Sequence, residues 1–226
     1  VTHTLGQYHD KLGILEDFDG NKVAFYGSSN SSKNGYRDNY EKIRLAKSWT
    51  DSGLESVIDE EQEFDALWIS FRLLNIGNND EVIVCANAYI ACVMGITMNG
   101  AIPIFVEPDE YDNIDANRIE EKITDKTKAI LAVHLYGQSC DMTKIMSIAH
   151  KYNLKVVEDC AQSHGNHWHG QTVGTFGDVG CFSFYPSKGC GAFGDAGCII
   201  TNNEELANKF KIFRNYGSEN LEFNRK

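Results

Sequence analysis

The chain has 226 residues, 42% of them hydrophobic, which is enough for one large globular domain with a sizeable core, or one domain plus an extension. Its net charge of -11 and the lack of any Lys/Arg cluster exclude a nucleic-acid binder, because phosphate backbones are gripped mainly by cationic side chains. No run approaches the ~18 apolar residues of a membrane span, and the opening VTHTLGQYHDKLG lacks the charged-then-apolar layout of a signal peptide, so a cytoplasmic location is expected.

Residues 1–60 read as a poorly assignable arm. They carry the polar tract GSSNSSKNGYRDN, and the pattern supports only the strand KVAFY and a weak helix near 39–48. From 61 onward the pattern becomes regular. FDALWISFRLLNIG has helical spacing that ends at Gly77, and EVIVCA is a short apolar run suited to a buried strand. Next come a helix in AYIACVMGITMNGA, the strand IPIFVEP, a charged helix at about 115–123 and the strand AILAVHLY. A helix capped near Asp141 or Thr143 leads to the strand LKVVED. After Asp159 the rhythm turns to GCFSFY, a glycine-rich turn, GCIITN and a closing helix from about Asn203 to Asn215. Alternating helices and doubly apolar strands predict an α/β fold: three layers, α/β/α, with a mostly parallel central sheet over residues 61–226.

Seven cysteines, most of them inside apolar runs and none in a C-x-x-C pair, read as reduced core residues. Gly189, Gly191 and Gly194 spell G-x-G-x-x-G, yet Asp195, Ala196 and Gly197 lead straight into the strand-like CIITN. A dinucleotide fingerprint needs its third glycine to open a helix, so this is expected to be a tight reversal. Lys188, just before it, is either a snorkelling surface lysine or a desolvated amine that attacks carbonyls. Asp159, at the carboxyl end of a buried strand, is either a structural cap or ion pair, or a partner for a pyridinium nitrogen. The imidazoles of His164, His167 and His169 are close enough in sequence to suggest zinc, but no Cys or carboxylate accompanies them in a ligand pattern, and no metal is expected.

Taken together, EVIVCANAYIA, GAIPIFVEPDEYDNID, TKAILAVHLYGQSCDM, VVEDCAQSHG, GTFGDVGCFSFYPSKGCGAFGDAGCIITNNEEL and RNYGS resemble the DegT/DnrJ/StrS family of nucleotide-sugar aminotransferases, over about residues 65–218. The resemblance implies pyridoxal 5'-phosphate (PLP) as cofactor, on the large domain of fold-type I aminotransferases. It implies that Lys188 is the lysine that bonds to the cofactor aldehyde and shuttles the proton. Asp159 would pair with the pyridine nitrogen, Gln162 would donate to the phenolic oxygen, Tyr89 would stack on the ring and Ser183 would bind the phosphate. His164 would lie near the cofactor at most. The implied reaction moves an amino group, with glutamate as the expected donor, to a nucleotide-linked keto-deoxysugar, in a homodimer without nucleic-acid or membrane partners.

Three departures qualify these expectations. Where the family has Ser-Gly-Thr at the phosphate helix, this chain has Gln62, Glu63 and Phe64, and Glu60, Glu61 and Glu63 compete with a dianion for the helix N-terminus. Weakened PLP affinity is expected, and a titration that finds a tight complex at low cofactor would overturn it. Residues 1–60 do not follow the family's opening helices. The resemblance also implies a C-terminal small domain, whereas the sequence given ends at LEFNRK. An alternative therefore stays open: a non-catalytic relative or fragment that acts only as a binding or assembly subunit.

Overall fold

The computed structural model describes residues 65–192 and 196–214, and before them the backbone of 3–7, 12–16, 22–26 and 44–47. The chain divides into two compact units, 1–61 and 62–226. The first contains β1 (His3–Gln7), β2 (Leu12–Glu16), β3 (Lys22–Tyr26) and β4 (Arg44–Lys47), an antiparallel sheet in sequential order. The expected strand KVAFY is β3. The helix expected at 39–48 is corrected, since β4 pairs there with β3, matching Val23 to Lys47 and Tyr26 to Arg44. A neighbouring strand outweighs a weak local helical preference.

The second unit follows the alternation predicted for it. Helix α1 (65–73) leads to β5 (Glu81–Cys85), then α2 (Ile90–Thr97), β6 (Ile102–Val106) and β7 (Thr127–Val133). Next are α3 (Met142–Tyr152), β8 (Lys155–Asp159), the two-residue strands β9 (His167–Trp168) and β10 (Gln171–Thr172), β11 (Val179–Ser183), β12 (Gly197–Ile200) and α4 (Glu204–Arg214). The main sheet has the order β12-β11-β8-β7-β5-β6. Its pairings are parallel except that β12 runs antiparallel to β11.

Strand periodicity explains the three layers, because successive side chains point to opposite faces. Val82, Val84, Ala129, Leu131, Val133 and Val157 pack in one cluster with Leu67 and Phe71 of α1, Cys92 and Ile96 of α2, and Leu206 of α4. Ile83, Cys85, Ile130, Ala132 and Val156 pack on the other face with Ile145, Ile148 and Ala149 of α3. Each fully buried Val, Leu or Ile contributes about 1.5–3 kcal/mol, so both layers are firmly attached. Helices α1 and α2 approach closely at Gly95, where a Cβ would lie 2.8 Å from that of Leu67.

Three local expectations are refined. The helix through FDALWISFRLLNIG stops before Gly77, with Asn75 taking the left-handed conformation (φ 59°) just after it. The charged helix expected at 115–123 shrinks to one 3-10 turn, Glu120–Lys122. There the Asp115 carboxylate accepts from the Asn117 backbone N–H at 2.9 Å, a local alternative to helix, and Ile114 and Ile119 anchor the loop in the core. For α3 the cap is Asp141, which accepts from the Lys144 N–H at 3.0 Å. No helix among the described residues is long and apolar enough to cross a membrane.

Candidate active site

The chain runs from β5 outward to β6 and then returns to the opposite side of β5 as β7. At such a reversal α/β sheets generally place their ligands, outside the carboxyl ends of the strands. Three segments emerge at that edge. Tyr89, after β5, is the N-cap of α2 and is half-buried against the core. Asp159 ends β8 opposite Val133 of β7 and Cys181 of β11. Gln162 follows it, and Ser183 ends β11, with Lys188 five residues further on. Topology thus brings all five residues singled out in the sequence to one edge.

Asp159 is only 2% exposed. Its Oδ1 accepts from the Ala161 N–H at 3.0 Å and its Oδ2 from the Cys92 thiol at 3.2 Å. A carboxylate offers about four lone-pair positions, so acceptor capacity remains on both oxygens. Gln162 is exposed, and its Oε1 accepts from the Tyr136 N–H at 2.9 Å, which leaves the amide NH2 as the donor. Ser183 is fully buried, and its Oγ accepts a long 3.4 Å bond from the Tyr185 N–H, so the hydroxyl keeps its proton for another acceptor. Lys188 is half-buried, in a turn that its own N–H closes by donating to the Tyr185 carbonyl at 2.9 Å.

The glycine segment is a reversal between antiparallel strands. Phe184 N–H donates to the Ala196 carbonyl and Ala192 N–H to the Phe184 carbonyl, both at 2.7 Å, and the next element is β12. This is not the strand-turn-helix unit of a dinucleotide fingerprint. Gly194 lies outside the described residues.

His164, His167 and His169 have separate surroundings. His167 contacts the Thr172 hydroxyl at 3.2 Å across the β9–β10 pair, and His169 packs edge-on against Trp168, with centroids 4.6 Å apart. His164 packs against Phe182 and Phe184, with centroids at 5.8 and 5.5 Å. Both of its ring nitrogens are buried without a partner among the described residues, as is the Ser163 hydroxyl. A Cβ on Gly189, the residue after Lys188, would lie 4.0 Å from Nδ1 of His164. Buried polar atoms are nearly always paired, so these orphans beside the lysine turn suit a polar occupant.

Two supporting residues escaped the sequence reading. Strand parity turns Glu158 to the face opposite Asp159, where it is fully buried. Its Oε1 accepts from the N–H groups of Phe176 and Gly177, at 2.8 and 2.7 Å, and its Oε2 from Gly174 N–H at 2.7 Å and His134 Nε2 at 3.1 Å. Nδ1 of His134 accepts from the Cys140 N–H at 3.1 Å, so the ring proton sits on Nε2 and donates to Glu158. His134, Glu158 and Cys160 have ligand atoms within 4.8 Å of one another, but these bonds account for the His and Glu atoms as a hydrogen-bonded prop for the 174–177 turn. That turn packs tightly: a Cβ on Gly180 would lie 2.3 Å from the Gly174 carbonyl oxygen. The sequence signal was Glu158 itself, an acid in the middle of VVED followed by the glycines of GTFGDVG.

Five of the seven cysteines are buried and none is in a disulfide; Cys190 is exposed and Cys198 half-exposed, so the core reading fails for these two. Burial pushes the Cys140 and Cys160 thiols up, away from thiolate.

A mostly parallel sheet between helix layers, with a lysine turn and a buried carboxylate on its carboxyl edge, defines a three-layer α/β domain. The model for the DegT/DnrJ/EryC1/StrS aminotransferase family matches residues 64–226, and the chain belongs to that family. It is 56% identical over 155 residues to the dTDP-3-amino-3,6-dideoxy-alpha-D-galactopyranose transaminase of Aneurinibacillus thermoaerophilus, covering 68% of this chain and 43% of that one. It is 44% identical to the dTDP-3-amino-3,4,6-trideoxy-alpha-D-glucose transaminase of Streptomyces venezuelae, covering 68% and 41%. Among solved structures, S. venezuelae DesV in complex with a ketimine intermediate superposes with a TM-score of 0.68 at 41% identity, covering 73% of this chain and 45% of that one. NtdA from Bacillus subtilis with bound cofactor PMP gives 0.66 at 41% identity, covering 73% and 37%. The chain spans less than half the length of each of these relatives.

Proposed function

We propose that residues 62–226 form the PLP-binding domain of an aminotransferase that delivers an amino group, with glutamate as donor, to a nucleotide-linked keto-deoxysugar. The observation that carries this reading is the buried Asp159 carboxylate, with one donor on each oxygen and acceptor capacity left over, on the same sheet edge as Lys188. Two of the relatives are named as dTDP-aminosugar transaminases, which supports the substrate class.

When bound, PLP supplies an electron sink that stabilises a carbanion next to nitrogen. Asp159 would hold the proton on the ring nitrogen, and its buried setting strengthens that charge-assisted bond. The Gln162 amide would donate to the phenolic oxygen, consistent with Oε1 already being committed to Tyr136. Tyr89 would cover one ring face, and the Ser183 hydroxyl would donate to the phosphate. The Lys188 amine would anchor the aldehyde and then carry the proton between substrate and cofactor carbons.

Exposed Ile90, Tyr111 and Tyr136 follow β5, β6 and β7 at the same edge and support pairing of two such domains as a homodimer. Five buried, unbridged cysteines support a reducing, cytoplasmic setting.

The test is a PLP titration followed by visible absorption. The wild-type protein is expected to develop a saturable band, and Asp159→Asn to bind PLP at least about tenfold more weakly, the scale of one charge-assisted hydrogen bond. A wild-type protein that stays colourless, or an Asn variant with unchanged affinity, would refute the assignment.

A further inference from the structure

Asp159 has an aspartate's freedom: the terminal torsion of its carboxylate is broad and two-fold, so rotamer preference alone does not fix the plane of its oxygens. Something else must aim it. Ala161 N–H holds Oδ1 from the loop that follows β8, and the Cys92 thiol holds Oδ2 from the far side, out of α2. Cys92 is fully buried, and its own N–H donates to the Tyr89 carbonyl at 3.0 Å. One residue therefore ties the helix turn that begins at Tyr89 to the carboxylate at the end of β8.

We propose that Cys92 is a positioning residue of the cofactor site, its S–H donating to Oδ2 of Asp159 and fixing the plane in which that carboxylate meets its ligand. This rests on the reading of Asp159 as partner of a protonated ring nitrogen. Holding the plane in advance spares the reorganisation that would otherwise accompany binding. A thiol suits the position because it is a weak donor, so Oδ2 keeps most of its charge for the ligand. A thiol is also apolar enough to pack against the neighbouring core.

Two measurements test the proposal. In the first, PLP is titrated into wild type and three variants. Cys92→Ala and Cys92→Val, the second refilling the space without a donor, are expected to weaken PLP about tenfold and shift the visible band, whereas Cys92→Ser stays within about threefold of wild type. Equal affinity for the Val and Ser variants would reduce Cys92 to a packing residue and overturn the proposal.

The second uses the protein without PLP. The Cys92 S–H stretching band, identified by its loss in Cys92→Ser, should move to higher frequency in Asp159→Asn, because a neutral amide is a weaker acceptor than a carboxylate. An unmoved band would refute the contact. If wild type failed to bind PLP, the cofactor reading would fall, and the infrared comparison would still decide whether Cys92 holds Asp159.

Discussion

Replacing Lys188 by alanine is expected to abolish the visible band formed with PLP and to leave no site for borohydride to fix the cofactor. Wild type treated in the same way should carry the label on Lys188, found by peptide mass analysis. The reason is chemical. Only an amine within reach of the aldehyde can form the reducible carbon–nitrogen bond. The half-buried position of Lys188 in the 185–190 turn removes part of its water shell without sealing it from a ligand. Amino transfer should fall by on the order of 10³-fold or more, since one residue would supply both the covalent anchor and the proton carrier. The fold should survive, because the bond that closes the turn comes from the Lys188 backbone N–H, which alanine retains. A label on another lysine, or an undiminished band in Lys188→Ala, would remove Lys188 from the site.

The largest effect on stability is expected at Glu158. Truncation to alanine strips acceptors from three backbone N–H groups, those of Gly174, Phe176 and Gly177, and from His134 Nε2. Each buried donor left unsatisfied costs about 1–3 kcal/mol, so together they are expected to cost about 3–5 kcal/mol or more. Water cannot easily substitute, because the glycines around the turn already sit against backbone: a Cβ on Gly177 would lie 2.5 Å from the Val156 carbonyl oxygen. For a unit of this size the loss corresponds to a fall in Tm on the order of 10 °C, measured by circular dichroism. Glu158→Gln should be intermediate, since it keeps one acceptor oxygen and points an NH2 group at other donors. A change below about 1 kcal/mol for Glu158→Ala would mean that the turn is held by packing alone.

Residue types and spacings made some of this legible in advance. The apolar runs EVIVCA, AILAVHLY and LKVVED suited buried strands, and the matching β5, β7 and β8 lie in the interior of the main sheet, although β7 already ends at Val133 and a 3-10 turn takes Leu135–Gly137. GCIIT following the glycines ruled out a dinucleotide turn, and the chain does reverse there into β12. Where local signals were weak, neighbours prevailed. The charged stretch 115–123 had helix-forming residues, but the Asp115 side chain and two core isoleucines hold most of it as loop. The strands β1, β2 and β4 carry no strong alternation of their own and depend on pairing that a linear reading does not see.

The sequence by itself determined the α/β class and the family, because hydrophobic periodicity and motif order are properties of the chain read in one dimension. The tertiary structure alone decided that Glu158 and Asp159, adjacent in sequence, serve opposite faces, one propping a turn and the other bonded to Cys92, 67 positions away. Such pairings follow from strand register and helix packing, which join residues far apart along the chain at hydrogen-bond distance.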